Sequence, residues 1–138
     1  MSKTASGEMR VIIQRITRAS GGDASVKKGL LALVGFHKND KKADAEWMAN
    51  KMLKFFCWDA PDGRPWKSCV MDIDGEVLIC LQPTIAEWEG TEELYNDFVS
   101  ATRKLYKPEK VKSVAHGPID FNNDGPITFT FDSTKKRD

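Results

Sequence analysis

The sequence predicts an α/β fold in one domain, and three observations carry that expectation. Short runs of β-branched and apolar residues recur at 9–16, 30–36, 76–82, 111–116 and 127–132. Two stretches, 41–54 and 91–105, instead repeat their apolar residues at helical spacing. The chain has 138 residues, 41% of them hydrophobic and 30% charged, which suits one compact domain with its own core.

Taken in order, residues 1–8 are polar and read as a flexible leader. Met9 to Ile16 forms a strand on the strength of Val11, Ile12, Ile13 and Ile16, and Ser20-Gly21-Gly22-Asp23 turns the chain. Leu30 to Phe36 is an unbroken apolar run too short for a good helix, so it reads as a strand covered on both faces. Asp40 has the side chain of an N-cap for a helix over 41–54, whose core face is Ala45, Met48, Ala49, Met52 and Leu53. Phe55 to Trp58 reads as a short strand closed by the turn Pro61-Asp62-Gly63. Glu76 to Gln82 is a strand, and Thr91 to Leu105 is a second amphipathic helix through Leu94, Tyr95, Phe98, Val99 and Leu105. Strands at 111–116 and 127–132 follow, and 134–138 is a basic tail containing Lys135, Lys136 and Arg137.

Composition bounds the function. The net charge of +1 excludes a non-specific polyanion binder, although a local patch is enough to grip one end of a nucleic acid. Cys57, Cys69 and Cys80 are odd in number and form no C-x-x-C pair, and His37 and His116 are far apart in sequence. These cysteines read as buried thiols of a reducing compartment. No apolar run approaches the roughly 20 residues of a membrane span, and residues 1–8 carry no secretory pattern. The expectation is a cytoplasmic protein without a membrane partner.

Two segments carry chemistry. Asn123-Asp124-Gly125-Pro126-Ile127-Thr128 places a Gly-Pro pair just before the last strand. Glycine permits backbone angles closed to other residues and proline fixes its own φ, so the pair makes a rigid corner that presents bare carbonyls. Leu81-Gln82-Pro83-Thr84-Ile85 closes the strand over 76–82, and strand ends are common places to display catalytic groups. On residue types alone, the first is a weak signal that suits an ordinary turn, and the second is more simply a strand stopped by proline. The remaining candidates have plainer uses. His116 precedes a second Gly-Pro and suits strand-end packing. Asp72, Asp74 and Glu76 suit a solvated face. Trp47, Trp58, Trp66 and Trp88 suit packing more than base stacking.

Taken together with Gln14-Arg15 in the first strand, these segments resemble the D-aminoacyl-tRNA deacylase family. The family's Asn-x-Gly-Pro-Val-Thr is matched at Asn123, Gly125, Pro126 and Thr128, and its Ser-Gln-Phe-Thr-Leu at Gln82 and Thr84. Trp66-Lys67-Ser68-Cys69-Val70-Met71-Asp72 is similar to a further family segment. The resemblance implies a mixed sheet curled toward a barrel, with the two amphipathic helices packed outside. It implies a domain over 9–133 that works as a homodimer on the aminoacylated 3′ end of tRNA. The activity implied is hydrolysis of the ester of D-aminoacyl-tRNA, and of glycyl-tRNA, without metal or other cofactor. Gln82 and Thr84 take the catalytic positions. Gly125 and Pro126 form a chiral filter that reaches into the partner's pocket, supported by Arg15, Asn123 and Thr128. Family catalysis uses backbone donors and the tRNA's own 2′-hydroxyl.

The chain departs from the pattern at Leu81 and Pro83, which stand at the family's Ser and Phe. Leucine has no hydroxyl and proline no N–H, and losing one oxyanion donor typically costs about 2.7–4 kcal/mol. The family's basic, Gly-rich stretch is replaced by the short acidic Ala86-Glu87-Trp88-Glu89-Gly90. These departures favour a second reading, a catalytically impaired relative that binds tRNA or a protein partner.

Overall fold

The computed structural model describes residues 9–37, 39–81 and 90–133. Among them the chain order is β1 (Arg10–Gly21), β2 (Ala24–Val26), β3 (Gly29–Gly35), α1 (Lys42–Lys54), β4 (Glu76–Leu81), α2 (Thr91–Leu105), β5 (Val111–Val114) and β6 (Asp120–Asp132). The strands form one six-stranded sheet in the order β2-β1-β3-β4-β5, with β6 on the other side of β1. β3, β4 and β5 run parallel to one another, and β1 is antiparallel to β2, β3 and β6. The sheet is therefore mixed. It curls far enough to bring β2 beside β4 and β5, the barrel-like shape expected.

Alternation along the strands divides the core in two. Val11, Ile13, Leu30, Ala32, Val34, Val77, Ile79 and Val111 face α1 and α2, meeting Met48, Met52, Leu94 and Phe98. The opposite face turns Ile16, Ala19, Val26, Leu31, Leu78, Cys80 and Val114 into the hollow of the curl. β3 is covered on both faces because it lies between these two layers, which is why its sequence is unbroken apolar rather than alternating. At its start, a Cβ on Gly29 would run into the Glu76 backbone of β4, so only glycine lets the two parallel strands come together there.

The helices lie where the apolar periodicity places them, but α1 is started differently. Asp40 is not its cap: the Asp40 carboxylate accepts from the N–H groups of Met9 (3.0 Å) and His37 (2.6 Å), tying the start of the fold to the β3–α1 loop. Lys41 is the N-cap residue, and Asp44 in the first turn accepts its N–H at 2.9 Å. Asp44, at the third helical position, ties back to the backbone of the cap residue, which is the return arm of a capping box and not the bond expected of Asp40.

Two strand expectations need correction. Phe55 to Trp58 makes only one isolated bridge, Trp58 to Ser68, because the facing chain turns at once after Ser68, with the N–H groups of Asp72 and Ile73 bonded back to the Cys69 carbonyl. β6 begins at Asp120 rather than at 127, since Asn123 to Pro126 forms an interruption within a continuing strand and not a turn before it. β1 likewise extends to Gly21, and the turn reduces to Gly22-Asp23. Residues 1–8, Gln82 and the tail at 134–138 lie outside the described residues.

Candidate active site

The pairing of β1 with β6 is regular from Arg10–Asp132 to Gln14–Thr128 and resumes at Ile16–Asn123. Between these pairs, Arg15 alone on β1 faces the four residues Asp124 to Ile127 on β6. The extra length bulges outward with Gly125 and Pro126 both exposed. The Gly125–Pro126 peptide is cis and Gly125 has φ 143°. A Cβ on Gly125 would stand 2.7 Å from Ile127 Cγ1, so other residues meet both steric and backbone strain there.

The side chains flanking the bulge hold it. Asn123 Oδ1 accepts the N–H of Ile127 at 2.7 Å, closing the corner on itself, while Asn123 Nδ2 donates to Gln14 Oε1 at 2.7 Å. Arg15 Nε donates to the Asp124 carbonyl at 3.2 Å, and Arg15 Nη1 donates to the Cys57 carbonyl at 2.6 Å. A rigid fork of donors is suited to two carbonyls at once. The guanidinium also stands 6.0 Å from the Trp66 ring centroid, and Trp66 meets Phe129 edge-on at 6.3 Å. Thr128 is exposed beside Gln14. Arg15, Asn123, Gly125, Pro126 and Thr128 are thus brought together.

Sequence reasoning missed three members of this cluster. The Cys57 carbonyl is backbone and leaves no trace in residue type. The Asp124 carboxylate, 3.2 Å from Arg15 Nε, looked like part of a turn. Trp66 lay in a recognisable segment, and its partner, Arg15, is 51 positions away.

The three cysteines are buried, and burial keeps their thiols protonated. Burial pushes Cys57 from 9.0 to about 11, with Arg15 offsetting part of the effect and Cys69 adding to it. Burial also raises Cys69, and it pushes Cys80 to about 11. A thiol so raised is almost wholly protonated at neutral pH. His116 is exposed beyond β5. Among the described residues no group of three or more His, Cys, Asp or Glu could hold a metal ion.

Gln82 and Thr84 lie outside the described residues, as does most of the acidic segment 86–90. Leu81, just before them, is half-buried against the core beside Val34. Val34 faces Val11, and Val11 faces Phe131. The strand end is therefore three strand spacings from β6, and the corner lies four positions further along β1, at Arg15. At about 3.3 Å per residue and about 4.8 Å per strand, that is roughly 13 Å along and 14 Å across the sheet surface.

A curled mixed sheet carrying helices on one face and a braced Gly-Pro projection on its outermost strand defines a compact α/β class with a characteristic corner. Known proteins share the fold. The model of the D-Tyr-tRNA(Tyr) deacylase family matches residues 12–92. A D-aminoacyl-tRNA deacylase of Dictyostelium discoideum is 33% identical over 93% of this chain and 100% of its own length. One from Thermosipho melanesiensis is 35% identical over 92% of this chain and 99% of its own. The solved structure of a c-Myc DNA Unwinding Element Binding Protein superposes with TM-score 0.78 at 26% identity, covering 88% of this chain and 97% of that one. A probable eukaryotic D-amino acid tRNA deacylase shares the fold with TM-score 0.69 at 14% identity, covering 91% and 99%. This chain belongs to the D-Tyr-tRNA(Tyr) deacylase family.

Proposed function

We propose that this protein hydrolyses the ester joining a D-amino acid, or glycine, to the 3′ end of tRNA, releasing free amino acid and tRNA. Family membership supports the reaction, and the braced Asn123–Thr128 corner is the observation that carries the chirality. Two carbonyls on a fixed projection reject a side chain on one side of an α-carbon while admitting hydrogen, which is selection by exclusion. A filter of this kind has use only beside a pocket that cleaves the ester. That consideration, with relatives named as deacylases over their full length, favours catalysis over a binding-only role.

The protein acts as a homodimer. The corner and the strand end at Leu81 are far apart on one sheet, whereas β6 pairs with β1 alone among the described residues and leaves its corner projecting. One chain's Gly125-Pro126 enters the pocket of the second, where Gln82 and Thr84 line the opposite wall. Residues 9–133 carry the function, between a leader at 1–8 and a basic tail at 134–138. The reaction takes place in the cytoplasm, and among the described residues no helix is long and apolar enough to cross a membrane.

The test is hydrolysis of D-aminoacyl-tRNA by the purified protein, with its solution mass measured alongside. Ester cleavage by a species of twice the chain mass is expected. An active monomer would remove the shared pocket, and a folded dimer without ester cleavage would remove the enzymatic reading.

A further inference from the structure

The curl of the sheet leaves a seam. β5 is the last strand of its side, and the β1–β2 turn folds over to meet it, with Gly22 and Gly21 against Val114. The two do not pair. Between them lies a cleft of about 360 Å³ lined by Gly22, Asp23, Arg103, Lys112 and Ser113, with Ala24 and Val114 completing it. This volume lies within the range of about 300–1,000 Å³ typical of ligand pockets.

The cleft holds two half-buried cations. Arg103 of α2 spends its Nε on the Val111 carbonyl at the open edge of β5, 3.2 Å away, which leaves the rest of its fork unpaired among the described residues. Lys112 makes neither a hydrogen bond nor an ion pair among the described residues. Elsewhere the chain pairs cations readily: Arg10, Arg15, Arg18, Arg64, Lys107 and Lys110 all meet carboxylates. Asp23 lines the same cleft but stands beyond ion-pair distance of both. Two positive charges against one negative leave the lining net positive. The backbone of the glycine turn adds neutral polar groups suited to an oxyanion.

We propose that this cleft is a phosphate-binding site that holds a backbone phosphate of the tRNA's acceptor strand. The inference rests on the aminoacyl-tRNA substrate proposed above. Lys112 lies beside Leu78 and Val114 beside Cys80, one position before Leu81, so a strand held in the cleft runs toward the end of β4 where Gln82 follows. The cleft supplies the local positive charge that the global net charge of +1 does not. Arg gives a bidentate grip and Lys a point charge, the usual division of labour at a phosphate.

The experiment measures affinity of the whole chain for uncharged tRNA across a salt series, for the unmodified protein and for Lys112→Gln, Arg103→Gln and Asp23→Asn. Inorganic phosphate serves as competitor. Lys112→Gln is the decisive variant, since Lys112 braces nothing, whereas Arg103 also caps the edge of β5. Lys112→Gln should weaken tRNA several-fold and reduce the slope of log K against log salt by about 0.7–0.9. Asp23→Asn should strengthen binding, and phosphate should compete less well against Lys112→Gln. An unchanged slope in both Lys112→Gln and Arg103→Gln would overturn the site even if the protein proves a good deacylase. Phosphate binding lost in Lys112→Gln with tRNA affinity untouched would also overturn it, since the cleft would then hold free phosphate only. A salt slope that falls in Lys112→Gln, in a protein that cleaves no ester, would support the cleft and refute the catalytic reading.

Discussion

Arg15 and Asp124 meet twice: Arg15 Nε lies 3.2 Å from the Asp124 backbone oxygen and 3.2 Å from its carboxylate Oδ2. The residue immediately before the Gly-Pro corner is thus fixed through both main chain and side chain. The other arm of the same guanidinium holds the Cys57 carbonyl at 2.6 Å, so the corner is referred to the segment after α1 as well as to β1. The Arg15 side chain is only 19% exposed, which makes these bonds costly to lose.

Replacing Arg15 should loosen the corner more than the fold. Arg15→Gln removes two charge-assisted bonds worth about 1.5–3 kcal/mol each when buried, and a total stability loss of at least about 3 kcal/mol is expected by denaturant titration. Hydrolysis of L-aminoacyl-tRNA should rise relative to D. Arg15→Lys keeps the charge but not the fork and should recover stability better than selectivity. Equal loss of D and L activity in a folded Arg15→Gln protein would assign Arg15 to stability alone.

The strand end offers a gain-of-function prediction. Leu81→Ser with Pro83→Phe restores a hydroxyl and a backbone N–H where the family has them. One oxyanion donor is worth about 10²–10³ in kcat, which sets the ceiling for the increase in D-aminoacyl-tRNA hydrolysis. Leu81 packs against the core, so the same variant should be less stable. A folded double variant with no gain would show that neither group limits the reaction.

The fold was legible wherever one physical pattern acted alone. The two-sided burial of β3 and the amphipathic face of α2 follow from apolar spacing, and the observed Thr91–Leu105 helix keeps the expected bounds. Local reading failed where tertiary contacts competed. Asp40 resembles a cap but is claimed by Met9 and His37, and Asn123 resembles a turn residue but closes a bulge against Gln14. Of the candidate site, the Gly-Pro corner was visible because it needs special residues. Its brace on the Cys57 carbonyl was not, because backbone oxygens have no residue type.

The buried titratable groups give the stability a direction with pH. The folded state raises Cys57 and Cys80 from 9.0 to about 11 by burial. It raises Tyr95 and Tyr106 from 10.0 to about 12, also mainly by burial. Between these values the unfolded chain has released protons that the folded chain still holds, so stability falls as pH rises. It should be unaffected by these groups below about pH 8 and decline from about pH 9 to 12. At pH 8 a thiol reagent should label none of the three cysteines quickly until denaturant is added. Fast labelling of Cys57 in the native protein would contradict the burial on which this rests.

The central claim is that Gly125-Pro126 selects the substrate's hand. The most direct measurement compares hydrolysis of D-tyrosyl-tRNA and L-tyrosyl-tRNA by the unmodified protein and by a folded Gly125→Ala/Pro126→Ala variant. The account predicts strong preference for the D ester in the first and a marked rise in L hydrolysis in the second. Unchanged discrimination in the variant, or equal cleavage of both esters by the unmodified protein, would contradict it.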